Sequence, residues 1–248
     1  MAFLSLKLFI YPITKKIIST NNINTNGIKM HSNTLLDQKN DLIKYWKERF
    51  SFGDIEINAF KAVDRENFIH ENHKHNAYND APLPLLRGKT ISQPTTVMIM
   101  TAALELELGD KVFEVGTGSG YQTAIIAKIV GPKGKVITTE VVPELISFAK
   151  ENLKKAKIDN VEIFEEDGSK GIKSKGMFDK IIITAACRVF PKPLLDQLKP
   201  NGIIVGPIGS RDAQEMVRGI KDKKGKLQLE FLGSFLFTPM YGKYGFED

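Results

Sequence analysis

Leu35, Leu36, Leu42, Ile43, Trp46 and Phe50 recur at roughly helical spacing, which predicts an amphipathic helix from Leu35 to Phe50. Asp54 is placed to cap a second helix through Ile57, Phe60 and Val63. The pattern then breaks down into "FIHENHKHNAYNDAPLPLLRGKTISQP", a long polar, proline-containing segment of the kind that is functional or disordered when it interrupts a domain. Beyond Pro94 the chain is helical from Thr96 to Leu106 and afterwards alternates short β-rich runs with helices. The β-rich runs are Lys111–Val115, Lys135–Glu140, Val161–Phe164, Lys180–Thr184 and Ile203–Pro207; helices are expected at Tyr121–Val130, Pro143–Ala156 and Pro193–Leu198. Near-continuous Val and Ile in strands separated by helices predicts a parallel sheet covered on both faces. The segment "MVRGIKDKKGKLQLEFLGSFLF" alternates about a turn at Lys223–Lys226 and predicts antiparallel strands added at one edge, in an order the pattern leaves open.

Composition changes this picture little. With 248 residues, 42% of them hydrophobic, the chain can bury a full core. Cys187 is the only cysteine, which excludes a disulfide framework and a Cys-based metal site and points to the cytoplasm. Charge is more instructive, because the excess of +6 is unevenly placed. Residues 1–29 hold Lys7, Lys15, Lys16 and Lys29 and no acid, so the rest of the chain has 31 basic against 29 acidic residues. A body so nearly balanced argues against a dedicated nucleic-acid or membrane surface. Residues 1–29 read either as a flexible or targeting tail or as sequence ahead of a start at Met30, residues 30–77 as a helical extension, and residues 78–248 as the main domain.

Gly88-Lys89-Thr90 carries the letters of a phosphate-binding loop, but the required second glycine, five positions upstream, is Leu83. The stronger signal is "VFEVGTGSGYQTA". Gly116, Gly118 and Gly120, with Thr117 between the first two, lie between a strand and a helix, where the backbone can approach a ligand and helix N–H groups point at it. Glu140 ends the next strand, where a carboxylate can accept hydrogen bonds from both ribose hydroxyls. Asp167 and Gly168, in "EEDGS", follow the third strand on the same rim. Glu114, two residues before the first glycine, could join them or simply cap the neighbouring helix. Acids crowding the loop disfavour a pyrophosphate and suit a nucleoside with a cationic or neutral tail; S-adenosylmethionine fits.

These motifs together resemble the protein-L-isoaspartate O-methyltransferase family from about Tyr78 to the C-terminus, more weakly back to Asp54. "AYNDAPLP" and "TISQP" look like the family's substrate loop, "VFEVGTGSGYQTA" its cofactor loop, "EEDG" its adenine-side turn and "FDKIIITAA" its fourth strand, while "YGKYGFED" looks like the version without a long C-terminal extension. The resemblance implies a Rossmann-like class I S-adenosylmethionine-dependent methyltransferase, with a doubly wound, mostly parallel seven-stranded sheet. It further implies transfer of a methyl group to the free α-carboxylate of isoaspartyl proteins and peptides, by a monomer needing no metal, nucleic acid or membrane. Ser92 matches the family's active-site serine, Thr90 and Ile91 lie beside it toward substrate, and Thr238 with Pro239 matches a segment that closes over the substrate. Family members commonly have Gly and Gln where this chain has Leu86 and Lys89, and Lys89 is expected to face solvent. "KPNG" replaces a double glycine with Asn201-Gly202, which suits a left-handed turn.

Two rival functions share the fold, an RNA-directed methyltransferase and a non-catalytic S-adenosylmethionine-binding protein. His70, His73 and His75 lack helical spacing and a supporting carboxylate set, so a solvated loop is expected there instead of a metal centre. Cys187 reads as a buried small residue.

Overall fold

The structure is a computed structural model that describes residues 34–246, so the reading of residues 1–29 lies outside the described residues. Helix α1 spans Leu35–Arg49 and α2 Asp54–Ala62. Thr34 caps α1 by accepting from the Asp37 N–H at 3.1 Å, and Leu42, Ile43 and Trp46 form its buried stripe. The cap expected of Asp54 on α2 is not made: Gly53 occupies the N-cap, and Asp54 contributes only its charge to the first turn. Trp46 is the anchor of this region. Its ring lies 4.6 Å from that of Phe60, and its indole N–H donates to Thr95 Oγ1 at 2.7 Å.

The polar segment that follows is ordered by short 3₁₀ turns and a two-stranded hairpin, β1 (Leu83–Pro84) with β2 (Thr90–Ile91). Arg87 and Gly88 both have positive φ, 55° and 66°, which closes the hairpin tightly. Gly88-Lys89-Thr90 is therefore a hairpin return. Arg65 nails the lead-in down from below: fully buried, it donates through Nε to the Ala77 carbonyl at 2.7 Å and through Nη2 to that of Ala81 at 3.4 Å. Asp80 accepts from the Thr95 N–H at 2.9 Å and from its hydroxyl at 2.6 Å. The lead-in is thus fixed to the helix that begins two residues after Ser92.

That helix, α3 (Pro94–Leu104), is buried on nearly every side, as its all-round apolar sequence dictates. It starts with Pro at a position where no N–H is needed and stops where Glu105 turns left-handed at φ 49°. The main sheet comprises β3 (Lys111–Val115), β4 (Lys135–Glu140), β5 (Val161–Glu165), β6 (Phe178–Ile183), β7 (Leu198–Gly209), β8 (Gln214–Lys221) and β9 (Leu227–Phe235), in the order β5-β4-β3-β6-β7-β8-β9. The first five are mutually parallel. The last three form an antiparallel meander, which settles the order of the final strands. In β7 the register jumps at Lys199–Gly202, where Asn201 takes φ 62°.

Side chains alternate across the sheet, so Val112, Val136, Ile182 and Val205 face one core layer and Phe113, Ile137, Ile181 and Ile204 the other. The first layer holds α3, α4 (Tyr121–Val130) and the apolar faces of α1 and α2, in one continuous cluster. α5 (Pro143–Lys155) joins it through Leu153. The second layer is thinner and holds α6 (Lys192–Gln197), Ile172, Phe190 and Met240. Because β3 has β4 on one side and β6 on the other, the chain order reverses at its carboxyl end and opens a crevice there.

Arg218 of β8 ties the meander to α3. Almost fully buried, it donates to the Ala103 carbonyl, to Glu230 Oε2 at 2.7 Å and to Glu105 Oε1 at 2.8 Å, and so satisfies a carbonyl left open at the end of α3. Replacing Arg218 by Met leaves Glu230 buried without its partner. We expect urea denaturation to show a loss of about 3 kcal/mol, most of it restored in the Arg218→Met/Glu230→Leu double variant.

Candidate active site

The first glycine loop is gripped from both neighbouring strands. The Gly116 and Thr117 N–H groups both donate to the Thr139 carbonyl, at 2.9 and 3.0 Å, while the Thr184 hydroxyl donates to the carbonyls of Val115 and Gly116. Gly116 sits at φ 97°, and a Cβ there would lie 2.4 Å from Thr184 Oγ1. Gly118, at φ 56°, has open space where a side chain would stand, so its backbone faces the crevice bare. Gly120 is the N-cap of α4 at φ 84°.

Glu140 closes the loop from the side. Oε2 accepts from the Gly118 N–H at 2.9 Å, and Oε1 accepts from the N–H groups of Val141 and Val142 at 2.9 and 3.1 Å. Its carboxylate is held at the crevice wall, oriented by three backbone donors.

Glu114 stands elsewhere. It is fully buried beneath the loop, accepts from the Thr123 hydroxyl, and leaves Oε1 without a partner. Burial raises its pKa from 4.5 to about 7, against hydrogen bonds from Thr123 and Thr138 that favour the anion and with a push from the charge of Glu140. It neither lines the crevice nor caps a helix, so both expectations for it are corrected: it is a buried support of the loop.

Asp167 is also displaced from its expected position. Gly168 does line the crevice, packed so closely that a Cβ would lie 2.1 Å from Thr139 Oγ1. The Asp167 carboxylate instead turns to the C-terminal segment, accepting from the Lys243 N–H at 2.9 Å and from the Ser169 N–H and hydroxyl at 3.0 and 2.6 Å. Burial works against its ionisation, but the donors from Ser169 and Lys243 and the Lys170 ammonium outweigh it and hold the carboxyl below its usual range.

The opposite wall comes from two segments far apart in the chain, the hairpin and residues 238–241. The hairpin presents Lys89, Thr90, Ile91 and Ser92. From the other side arrive Thr238, Pro239, Met240 and Tyr241, seated by hydrogen bonds from the Ala186 N–H to the Thr238 carbonyl and from the Met240 N–H to the Ala186 carbonyl. Between the walls lies a cleft open to solvent, lined by both segments and by the glycine loop. No described residue takes the Ser92 hydroxyl as a partner, leaving it available to a ligand. Bare backbone at Gly118, an oriented Glu140 carboxylate and the absence of a side chain at Gly168 fit an adenosyl group.

Sequence reasoning missed Tyr241, Val141 and Thr184, all of which line the cleft. Val141 directly follows Glu140, and that adjacency was the signal available; Tyr241 had none. Lys89 does not face solvent: its Nζ lies 4.1 Å from the centre of the Tyr241 ring. Among the described residues no group of three His, Cys, Asp or Glu side chains could hold a metal ion. Cys187 is buried and its thiol is pushed up to about 12 by desolvation, so it stays protonated.

Residues 37–245 match the family described as protein-L-isoaspartate(D-aspartate) O-methyltransferase. The chain is 47% identical over 189 residues to protein-L-isoaspartate O-methyltransferase 2 of Archaeoglobus fulgidus, covering 76% of this chain and 86% of that protein. It is 43% identical to the protein-L-isoaspartate O-methyltransferase of Methanopyrus kandleri, covering 77% and 84%. Among solved structures, a Plasmodium falciparum protein-L-isoaspartate O-methyltransferase in complex with S-adenosyl-L-homocysteine superposes with a TM-score of 0.72 at 28% identity, covering 82% of this chain and 98% of that one.

Glu114 gives the fold a distinct pH dependence. Below pH about 4.5 the group is protonated in both folded and unfolded chains; from there to about 7 the folded protein keeps a proton that the unfolded chain releases, so stability falls as pH rises. Glu114→Gln removes this loss. Urea denaturation of both proteins between pH 4.5 and 8 is expected to show the variant gaining about 3 kcal/mol relative to wild type toward the alkaline end.

Proposed function

The chain belongs to the protein-L-isoaspartate O-methyltransferase family, and within that family we propose how its cleft divides the work between cofactor and substrate. The protein is a repair methyltransferase that uses S-adenosylmethionine to methylate the free α-carboxylate of L-isoaspartyl residues in damaged proteins and peptides. The glycine-loop wall takes the cofactor: Gly116, Thr117, Gly118 and Gly120 set the backbone against it, Glu140 accepts from its ribose hydroxyls, and Gly168 with Val141 borders the adenine side. Glu114 and Asp167 act from behind that wall, one under the loop and one through the C-terminal segment. Bound S-adenosylmethionine supplies an electrophilic methyl group on a sulfonium.

The hairpin and C-terminal wall takes the peptide, with Ser92 as the residue that touches the reacting carboxylate and Thr90, Ile91, Thr238 and Pro239 around it. An isoaspartyl α-carboxylate is already anionic at neutral pH, so no general base is required. The Ser92 hydroxyl donates a hydrogen bond that orients one carboxylate oxygen, and the surrounding apolar side chains exclude water, which favours a reaction in which opposite charges disappear. The supporting observation is the convergence of Ser92 and the Glu140-braced loop on a single cleft.

Residues 34–77 serve as a helical cover for the methyltransferase core that begins at residue 78. We place the enzyme in the cytoplasm on the strength of its lone cysteine, without nucleic-acid or membrane partners on the strength of its balanced body charge, and acting on peptides as a monomer. No helix among the described residues is long and apolar enough to cross a membrane.

The test is methyl incorporation from labelled S-adenosylmethionine into paired peptides differing only in aspartyl or isoaspartyl linkage. Equal labelling of both, or labelling of RNA alone, refutes the reading. Ser92→Ala is expected to lower kcat roughly 10- to 100-fold on the isoaspartyl peptide, with cofactor affinity by calorimetry nearly unchanged. Glu140→Ala gives the complementary result, weakening cofactor binding roughly 10- to 100-fold through loss of charge-assisted hydrogen bonds.

A further inference from the structure

The hairpin carries one cation into the cleft. Lys89 is half-buried, lines the cavity, and rests its ammonium 4.1 Å from the centre of the Tyr241 ring. No carboxylate among the described residues pairs with it. Its neighbour Arg87, by contrast, is engaged with Glu144 of α5, so the hairpin tip is anchored by one cation while the other is directed at the cleft mouth. The carboxylates that line the same cavity, Glu140 and Glu166, belong to the rim formed by the ends of β4 and β5. The cleft is therefore polarised, acidic at the glycine-loop wall and cationic at the hairpin.

Lys89 is badly placed to help the methylated carboxylate itself. Attack destroys that group's charge, so an ammonium held against it would stabilise the ground state more than the transition state. Lys89 and Ser92 stand three positions apart along extended chain, about 10 Å between their backbones. A peptide lying along the hairpin in extended form spans that distance with about three residues. The contact with Tyr241 is exchangeable, since an ammonium on an aromatic face is held less firmly than one hydrogen-bonded to a carboxylate.

We propose that Lys89 is a specificity-determining residue: its ammonium leaves the Tyr241 ring to pair with an acidic side chain two or three positions from the isoaspartyl linkage, so that the enzyme selects damaged sites in acidic sequence. Lys89 then acts on capture of the peptide and leaves the methyl-transfer step to Ser92. The inference rests on the isoaspartyl reading of the same cleft.

The experiment uses isoaspartyl peptides carrying Glu or Gln at the positions two and three residues to either side, with the matching aspartyl peptides as the control for the reaction itself. Wild type is expected to show a KM about fivefold lower for the best-placed Glu peptide than for its Gln counterpart, a gap that closes as salt is raised, with kcat within twofold. Lys89→Gln abolishes the preference through KM, Lys89→Arg keeps it, and Lys89→Glu reverses it toward a peptide with Lys at that position. Wild type that methylates isoaspartyl over aspartyl peptides but treats Glu and Gln peptides alike overturns the role of Lys89, as does a preference that survives Lys89→Gln. Failure of wild type to distinguish isoaspartyl from aspartyl peptides overturns the underlying reading and this inference with it.

Discussion

The site depends on the carboxylate of Glu140. By accepting from Gly118 on one side and from Val141 and Val142 on the other, it joins the glycine loop after β3 to the first turn after β4. Without an acceptor there, backbone donors would point into a crevice with nothing to fix their direction, and the bare loop has no side chains of its own to hold it. The neighbouring grips follow the same logic. Thr139 offers its carbonyl to Gly116 and Thr117, and Thr184 spans the gap from β6 to the carbonyls of Val115 and Gly116. The strands flanking β3 thus fasten a loop that needs glycine's freedom and would otherwise be too free, β4 through Thr139 and Glu140 and β6 through Thr184 just past its end.

Charge is distributed in the site with equal economy. Glu114 lies beneath the loop in a place where ionisation is costly, and Glu140 lies at the surface of the same wall with its charge satisfied. Keeping one carboxyl close to neutral avoids two adjacent anions under a loop whose own N–H groups can satisfy only one. On the facing wall the acids give way to Lys89, Ser92 and Tyr241.

Much of this was legible in the sequence where local rules and tertiary structure agree. The bounds of β3, β4 and α4 coincide with the Val- and Ile-rich runs and the glycines that punctuate them, because a doubly covered parallel strand is filled mostly by apolar side chains. The β1–β2 hairpin was not legible: two-residue strands containing Pro84 carry no alternation to read, and its lead-in is fixed by Arg65 and Asp80 contacts from outside the hairpin. The same holds for side-chain direction at Asp167 and Lys89. Sequence placed Asp167 on the strand-end rim and turned Lys89 to solvent, yet their partners, Lys243 and Tyr241, come from the far C-terminal segment. Asp167 even requires a glycine opposite it, since a Cβ on Gly242 would fall 2.1 Å from its Oδ1.

That residues 89–92 and 238–241 together build the wall facing the glycine loop has a consequence for how the enzyme comes into being. Contacts of such long sequence separation carry a large loop-closure cost and form late in folding. A chain emerging from the ribosome can assemble the glycine loop and most of the sheet while part of the facing wall is still unsynthesised. The cleft therefore waits on residues 238–241, and a nascent copy not yet extended that far can hold a cofactor pocket without being able to enclose a peptide beside it.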